Sequence, residues 1–366
     1  MSDLAAPHIL ALTAYEPGKP EDELRRELGI DDIVKLASNE NPYGPSPKAV
    51  EALRAGSLQL ERYPDPRGYE LREALAVHHG VLAEQLCLGN GSNELIDLIC
   101  RVFASRGDHA VFGHPSFPCY RIGSLAQELR FTAVPLRDDL HWNVDDLLDA
   151  ITPETKLLFV SNPNNPTGGY IAKPELERLL RLLPLRVLAV VDEAYVEYAD
   201  AEDFVPATKL RDTRERLAIL RTFSKAYGLA ALRVGYVLGT AELVFDLNRL
   251  RAPFNVGTVG QVAAKAALSD QQHLRSSVEA TVRDRRKLGE ALEEAGLRVA
   301  PSQGNFVLVD VQKPGRAVYE DLLREGVIVR AMGPPLQSWI RVTVGKPDEN
   351  ERFLHSLARV LKGSRV

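Results

Sequence analysis

Three polar residues follow three apolar runs in the chain. Asn165 follows the run 156–160, Asp192 follows 187–191 and Lys225 follows 217–220. Lys225 sits in Thr222-Phe223-Ser224-Lys225-Ala226-Tyr227-Gly228-Leu229, among small and hydroxyl side chains. Burial there lowers the pKa of an amine and makes it a usable nucleophile. Thr222, Ser224 and Arg233 are suited to hold a phosphate nearby, because a guanidinium offers a planar fork of donors to phosphate oxygens. An amine beside a phosphate site points to a phosphorylated aldehyde held through a C=N bond. Taken alone, Lys225 and Arg233 also read as an ordinary surface lysine beside a loop arginine.

Asp192 lies in Val190-Val191-Asp192-Glu193-Ala194-Tyr195. A carboxylate at the end of a buried strand is costly unless it meets a cation, and a protonated pyridine nitrogen is a suitable one. Tyr195 can donate to a nearby phenolate. Asn165 lies in Ser161-Asn162-Pro163-Asn164-Asn165-Pro166-Thr167-Gly168, where two prolines stiffen the loop and aim an amide. Asn162 and Asn164 read better as structural turn residues. Gly89-x-Gly91-x-x-Glu94 resembles a dinucleotide fingerprint but has Glu in place of the third Gly. What survives is an anion site on the backbone N–H groups of Gly91, Ser92 and Asn93, with a plain strand–helix turn as the alternative.

These groups need strand ends to bring them together. Strands are expected at 33–37, 86–88, 110–112, 129–134, 156–160, 187–191, 217–220 and 234–238, with a tight turn at 89–93. Helices are expected at 21–28, from Ser46-Pro47, and at 69–79 and 94–103. Strands alternating with helices imply a mostly parallel sheet covered on both faces. After about residue 255 the texture changes. Helices at 259–268, 273–295 and 348–361 frame strands at 305–310, 327–329 and 340–344. The expected division is an arm and small-unit segment at 1–40, a large unit at 41–255 and a smaller α+β unit at 256–366.

The chain has 366 residues, 45% hydrophobic and 26% charged, with a net charge of -5. The charge gives no basic surplus for nucleic acid or an anionic membrane. Three cysteines at unrelated spacings and no His-Glu-x-x-His pattern argue against a metal site. The absence of a secretory pattern or a long apolar run leads to the expectation of a cytoplasmic protein.

The motifs Asn-Pro-x-Asn-Pro-Thr-Gly, Asp-Glu-Ala-Tyr and Ser-Lys-x-x-x-Leu-x-x-x-Arg-x-Gly-Tyr occur here in that order. The chain resembles the fold-type-I aminotransferases that use pyridoxal 5′-phosphate (PLP). Within them it is most similar to the histidinol-phosphate aminotransferase group, through Leu36-Ala37-Ser38-Asn39-Glu40-Asn41-Pro42-Tyr43-Gly44, Tyr63-Pro64-Asp65 and Ser302-Gln303-Gly304-Asn305-Phe306. The resemblance implies that Lys225 carries the cofactor covalently and shuttles the proton. Asp192 keeps the ring nitrogen protonated, and Asn165 and Tyr195 bond the ring oxygen. Ser92, Asn93, Thr222, Ser224 and Arg233 hold the phosphate, and Phe117 stacks on the ring. Tyr63 reaches the phosphate site of the neighbouring subunit of a homodimer, and Arg341 grips a substrate anion.

The implied reaction moves an amino group between L-histidinol phosphate and 2-oxoglutarate. One site must then accept a phosphate and a carboxylate in turn, which two arginines can do. Arg330, eleven positions before Arg341, is the second candidate. Tyr15 and Asn39 are expected to close over the same pocket. Trp339 is expected to bias the pocket towards aromatic donors. The rivals are an aromatic amino acid aminotransferase, a PLP lyase or decarboxylase, and a regulator with a borrowed aminotransferase domain. No DNA-binding stretch ahead of the arm favours the last.

Overall fold

The computed structural model describes residues 4–10, 12–14, 17–56, 58–59 and 61–363. The first strand, β1 (Val34–Lys35), belongs to a small sheet described below. The main sheet holds β2 (Leu86–Asn90), β3 (His109–His114), β4 (Arg130–Pro135), β5 (Thr155–Ser161), β6 (Leu188–Asp192), β7 (Leu217–Thr222) and β8 (Val234–Leu238), in the order β2-β8-β7-β6-β5-β3-β4. From β7 to β4 the neighbours are parallel. Residues of β6, β7 and β8 are buried without alternation, as a sheet covered on both faces requires.

One face packs on the helix Gly91–Phe103 through Leu95, Ile96 and Ile99, the other on Leu71, Leu75 and the alanines Ala263, Ala264 and Ala267. Those alanines belong to the helix Thr258–Ser269, expected in the second unit. Its small side chains instead let it lie close against the helices Pro47–Ala55 and Tyr69–His79 of the main core. Ser46 caps the helix that follows it, accepting from the Lys48 N–H at 3.1 Å.

One local expectation changes. The turn placed at 89–93 does not form: β2 runs through Asn90 and the next helix starts at Gly91. Gly91 reverses the chain by itself at φ +74°, a conformation that favours glycine. Within the mostly parallel sheet, β8 runs antiparallel to β7 and β2. The chain therefore turns back within the loop 223–233, so the strand carrying Thr222 and the start of β8 face each other. The Phe223 N–H donates to the Val234 carbonyl at 2.9 Å and closes that loop.

The second sheet is antiparallel and contains β9 (Arg298–Ala300), β10 (Phe306–Asp310), β12 (Arg330–Ala331) and β13 (Trp339–Thr343), in the order β12-β13-β10-β9. Val307, Val309, Ile340 and Val342 pack on Leu288, Leu292, Val318, Phe353 and Leu357 of the surrounding helices. Between β10 and β12 lies β11 (Val327–Ile328), which pairs in parallel with β1. Segment 34–39 thus docks on the C-terminal part of the chain. No described helix is long and apolar enough to cross a membrane.

The boundary between β6 and β7 holds a buried charge cluster. Arg221 donates to Glu193 at 2.7 Å and to Glu197 at 3.4 Å, with Glu193 fully buried. Removing one member strands the others in a low-dielectric core. Arg221→Met is therefore expected to cost about 3–5 kcal/mol in a urea unfolding measurement. A loss below about 1 kcal/mol would mean that water reaches the cluster.

Candidate active site

Parallel pairing sets the site. Ser161 of β5 lies opposite Asp192 of β6, and Asp192 lies opposite Leu220 of β7. The loops leaving these strand ends carry Asn165, Tyr195 and Lys225 to one cavity. It is lined by Ser92, Asn93, Phe117, Asn165, Asp192, Tyr195, Thr222, Ser224, Lys225 and Arg233, with Asn39, Arg330 and Arg341 closing it from the second sheet's side. Of the other residues singled out in the sequence, Tyr15 lies outside the described residues. Tyr63 is 82% exposed and stacks on Phe254 at 4.5 Å, away from this cavity.

Lys225 Nζ donates to the Ser38 carbonyl at 3.0 Å and lies 5.7 Å from the Tyr195 ring centroid. Burial, and then the nearby Arg341 guanidinium, hold its amine down to about 7. Much of it is therefore uncharged near neutrality and ready to attack a carbonyl or take a proton. Asp192 shows the opposite effect of the same burial, which pushes its carboxyl up to about 6. The Tyr120 hydroxyl donates to its Oδ2 at 2.7 Å and the Ala194 N–H to its Oδ1 at 3.2 Å.

The residues expected to hold a phosphate, Ser92, Asn93, Thr222, Ser224 and Arg233, line the same cavity. The helix Gly91–Phe103 has no side chain capping its N-terminus, so the first-turn N–H groups of Ser92 and Asn93 face an anion site. Glu94, which replaces the third glycine of the fingerprint, accepts instead from the Asn90 N–H and Asn255 at 2.6 and 2.7 Å. Arg233 adopts a left-handed φ of +54° and donates to Ser224 Oγ at 3.1 Å. A Cβ on Gly91 would lie 2.3 Å from the Arg233 guanidinium, so only glycine lets the arginine reach the helix end. The Thr222 hydroxyl accepts from the Ser224 N–H at 3.0 Å and orients that hydroxyl pair.

The anion-binding side rests on register. Arg330 and Arg341 are direct partners across β12 and β13, so both side chains leave the same face of the sheet. Like charges placed opposite each other destabilise a sheet, so the pair costs stability where it stands. Arg341 donates to Asn165 Oδ1 at 2.5 Å and to the Ala37 carbonyl at 2.7 Å; Arg330 donates to the Pro17 carbonyl at 3.2 Å. Asn39 spans the seam: its amide donates to the Tyr195 hydroxyl at 3.0 Å and its backbone N–H to Thr343 at 2.8 Å.

Asn162 and Asn164 are structural, accepting from or donating to loop backbone at Ile171 and Pro115. Trp339 corrects an expectation. It is buried with Ala300, Leu308 and Leu336 beneath Arg298, outside the cavity, because it sits two residues before Arg341 on the same face of β13, where it packs over β9 and β10 instead of reaching the site. The sequence reading also missed Ser38, whose carbonyl accepts from the lysine, and Tyr120, whose hydroxyl donates to the Asp192 carboxylate. The only signal for Tyr120 is its spacing of one helical turn from Phe117. Among the described residues, no group of three His, Cys, Asp or Glu side chains is placed to hold a metal.

The depressed lysine pKa is directly measurable. In the ligand-free protein, acetylation of Lys225 by trace acetic anhydride, whose reactive form does not titrate, should reach half its limiting rate near pH 7, as followed by peptide mass spectrometry. A rate still climbing at about pH 9 would place the amine near the ordinary lysine value instead.

Comparisons with known proteins agree with this geometry. The family model described as aminotransferase class I and II matches residues 31–357. Histidinol-phosphate aminotransferase 2 of Pseudomonas aeruginosa is 46% identical over 367 residues, covering 99% of each chain. A histidinol-phosphate aminotransferase of Geobacillus sp. (strain WCH70) is 45% identical over 357 residues, 97% of each. Among solved structures, the histidinol-phosphate aminotransferase of Sinorhizobium meliloti in complex with pyridoxal-5′-phosphate aligns with a TM-score of 0.91 at 30% identity, covering 99% of each chain. With a family model matching residues 31–357 and relatives of such identity along its length, the chain belongs to the aminotransferase class I and II family.

Proposed function

We propose that this protein is a PLP-dependent aminotransferase that moves the amino group between L-histidinol phosphate and 2-oxoglutarate. The observation that carries the reading is the single cavity holding Lys225, Asp192 and the Arg330–Arg341 pair. The residues present fit the cofactor. Asp192 is buried with one oxygen on Tyr120 and the other on a backbone N–H, and no cation among the described residues is hydrogen-bonded to it. A ring N–H⁺ supplies the charge that such a carboxylate needs. Ser92, Asn93, Thr222, Ser224 and Arg233 provide donors for its phosphate, and Asn165 and Tyr195 lie where the ring oxygen needs donors. Phe117 offers an aromatic face to the ring.

Bound there, PLP supplies an electron-withdrawing ring that stabilises negative charge developing on the amino-bearing carbon. The protein's own groups do the rest. Lys225, its amine partly uncharged near pH 7, would hold the cofactor's aldehyde carbon through a C=N bond formed with loss of water, and once released would take and return the proton at the substrate carbon. Asp192 holds the ring nitrogen in its protonated form. Arg330 and Arg341 bind the phosphate of one substrate and a carboxylate of the other in turn, because a guanidinium fork matches both. In the ligand-free protein backbone carbonyls and Asn165 satisfy those forks, so an incoming anion exchanges with existing acceptors.

A neutral aromatic side chain has no use for the second arginine. The burial of Trp339 outside the cavity likewise gives no support for an aromatic donor. The reading extends to a homodimer in which Tyr63 enters the partner's phosphate site. Its exposure and its distance from its own cavity support this. It also extends to a small unit in which the segment 1–40 moves with the C-terminal sheet. Three unpaired thiols, Cys87, Cys100 and Cys119, suit a reducing cytoplasm.

Two experiments test these readings. Arg330→Ala should lower kcat/KM for histidinol phosphate by about 10–100-fold, the worth of a charge-assisted hydrogen bond, and that for phenylalanine far less. Equal losses on both, or a wild type that prefers phenylalanine, would move the function to aromatic transamination. Separately, Lys225→Ala should keep non-covalent PLP but lose turnover, and Tyr63→Ala should be severely impaired. Mixing the two should restore activity in heterodimers that contain one intact site. Verified subunit exchange without recovery would remove Tyr63 from the partner's site.

A further inference from the structure

Beside the cavity lies a fully buried phenol that the reaction as described leaves unused. Tyr120 is 0% exposed, in the helix Cys119–Ala126. Its ring stacks on Phe159 at 5.0 Å and 12°, and Phe117 meets its edge at 5.8 Å and 81°. Those apolar contacts would be served equally by phenylalanine. The hydroxyl has a single acceptor of consequence, Asp192 Oδ2 at 2.7 Å, approached from the helix side of the sheet.

We propose that Tyr120 is a positioning residue that keeps the Asp192 carboxylate ionised and fixed in the orientation that meets the cofactor's ring nitrogen. This rests on the PLP reading above. With Oδ1 held by the Ala194 N–H and Oδ2 by Tyr120, the carboxylate is held against rotation where it lines the cavity. A hydrogen bond to the charged form also favours that form.

The balance is close. Burial drives the Asp192 carboxyl up to about 6, with the Tyr120 hydroxyl and the Ala194 N–H acting against it. The neighbouring Glu193 raises it further, and Lys225 lowers it from the other side of the cavity. Cys119, on the same helix as Tyr120, is held up to about 12 by burial and by Asp192, so it stays a neutral thiol facing the carboxylate. The Ser161 hydroxyl lies beside the Tyr120 oxygen. Tyr120 is thus the one side chain that both touches Asp192 and favours its charge. Without it, Asp192 takes up a proton closer to neutral pH and no longer holds a pyridinium.

The test compares PLP with its 1-deaza analogue, in which C–H replaces the ring nitrogen. Lysine attachment and phosphate binding are common to both, so the ratio of their dissociation constants isolates the contact with Asp192. Apo wild type should prefer PLP, and the preference should fade as pH drops through about 6. Tyr120→Phe should cut the preference at neutral pH by about tenfold and move its loss to higher pH. In an Asp192→Asn background the same change should have no further effect. An unchanged ratio in Tyr120→Phe, or an equal additional loss on top of Asp192→Asn, overturns the proposal. A wild type without any preference for PLP would instead refute the cofactor reading beneath it. Should Tyr120→Phe not fold by circular dichroism, a ring-fluorinated tyrosine at position 120 keeps the oxygen and strengthens the donor. It should move the loss to lower pH, and no movement would equally overturn the proposal.

Discussion

The site depends on the register of three parallel strands. Because Ser161, Asp192 and Leu220 lie side by side, the chain leaves β5, β6 and β7 at one edge of the sheet. Ligands of open α/β sheets bind outside the carboxyl ends of the strands for this reason. A shift of one residue in β6 would turn Asp192 to the opposite face. The buried ion pair between Glu193 and Arg221, each next to a site residue, fastens β6 to β7 at the place where such a slip would be most damaging.

That edge is also where one low-dielectric environment acts on two groups in opposite directions. Burial drives Lys225 towards the uncharged amine and Asp192 towards the uncharged acid. Catalysis uses the first tendency and must resist the second. The protein resists it with hydrogen bonds from Tyr120 and Ala194, while Arg341 adds positive potential that helps keep the lysine neutral. An arginine on the small sheet thereby lines the cavity and acts on the state of the lysine at the same time.

Much of this was legible in the sequence, for identifiable reasons. The strands at 187–191 and 217–220 are continuous apolar runs with polar residues at their ends, so their existence and their cargo both show. Motif spacing located the phosphate cradle and the lysine. The sequence was silent where long-range contact decides. Nothing local says that the alanine-rich helix Thr258–Ser269 belongs to the larger core, since small residues report close packing but not against what. Trp339 was drawn to the pocket by its nearness to Arg341; it does share that face of β13, but two residues along the strand it packs over Ala300 and Leu308 instead of into the cavity. Tyr120 had no motif, because its partner lies across the sheet and 72 positions away.

The pairing of β1 with β11 has a consequence for synthesis. Val34 leaves the ribosome early, but its partner Val327 is made about 290 residues later, an interval of about 15–60 s at 5–20 residues per second. Throughout that time the segment holding Ser38 and Asn39 has no strand to join, while the main sheet can already form between β2 and β8. The seam that supplies the acceptor of Lys225 therefore closes last although its first half is translated first. A nascent chain stopped short of β11 would display a folded sheet with an open-sided cavity, its N-terminal strand still waiting for a template.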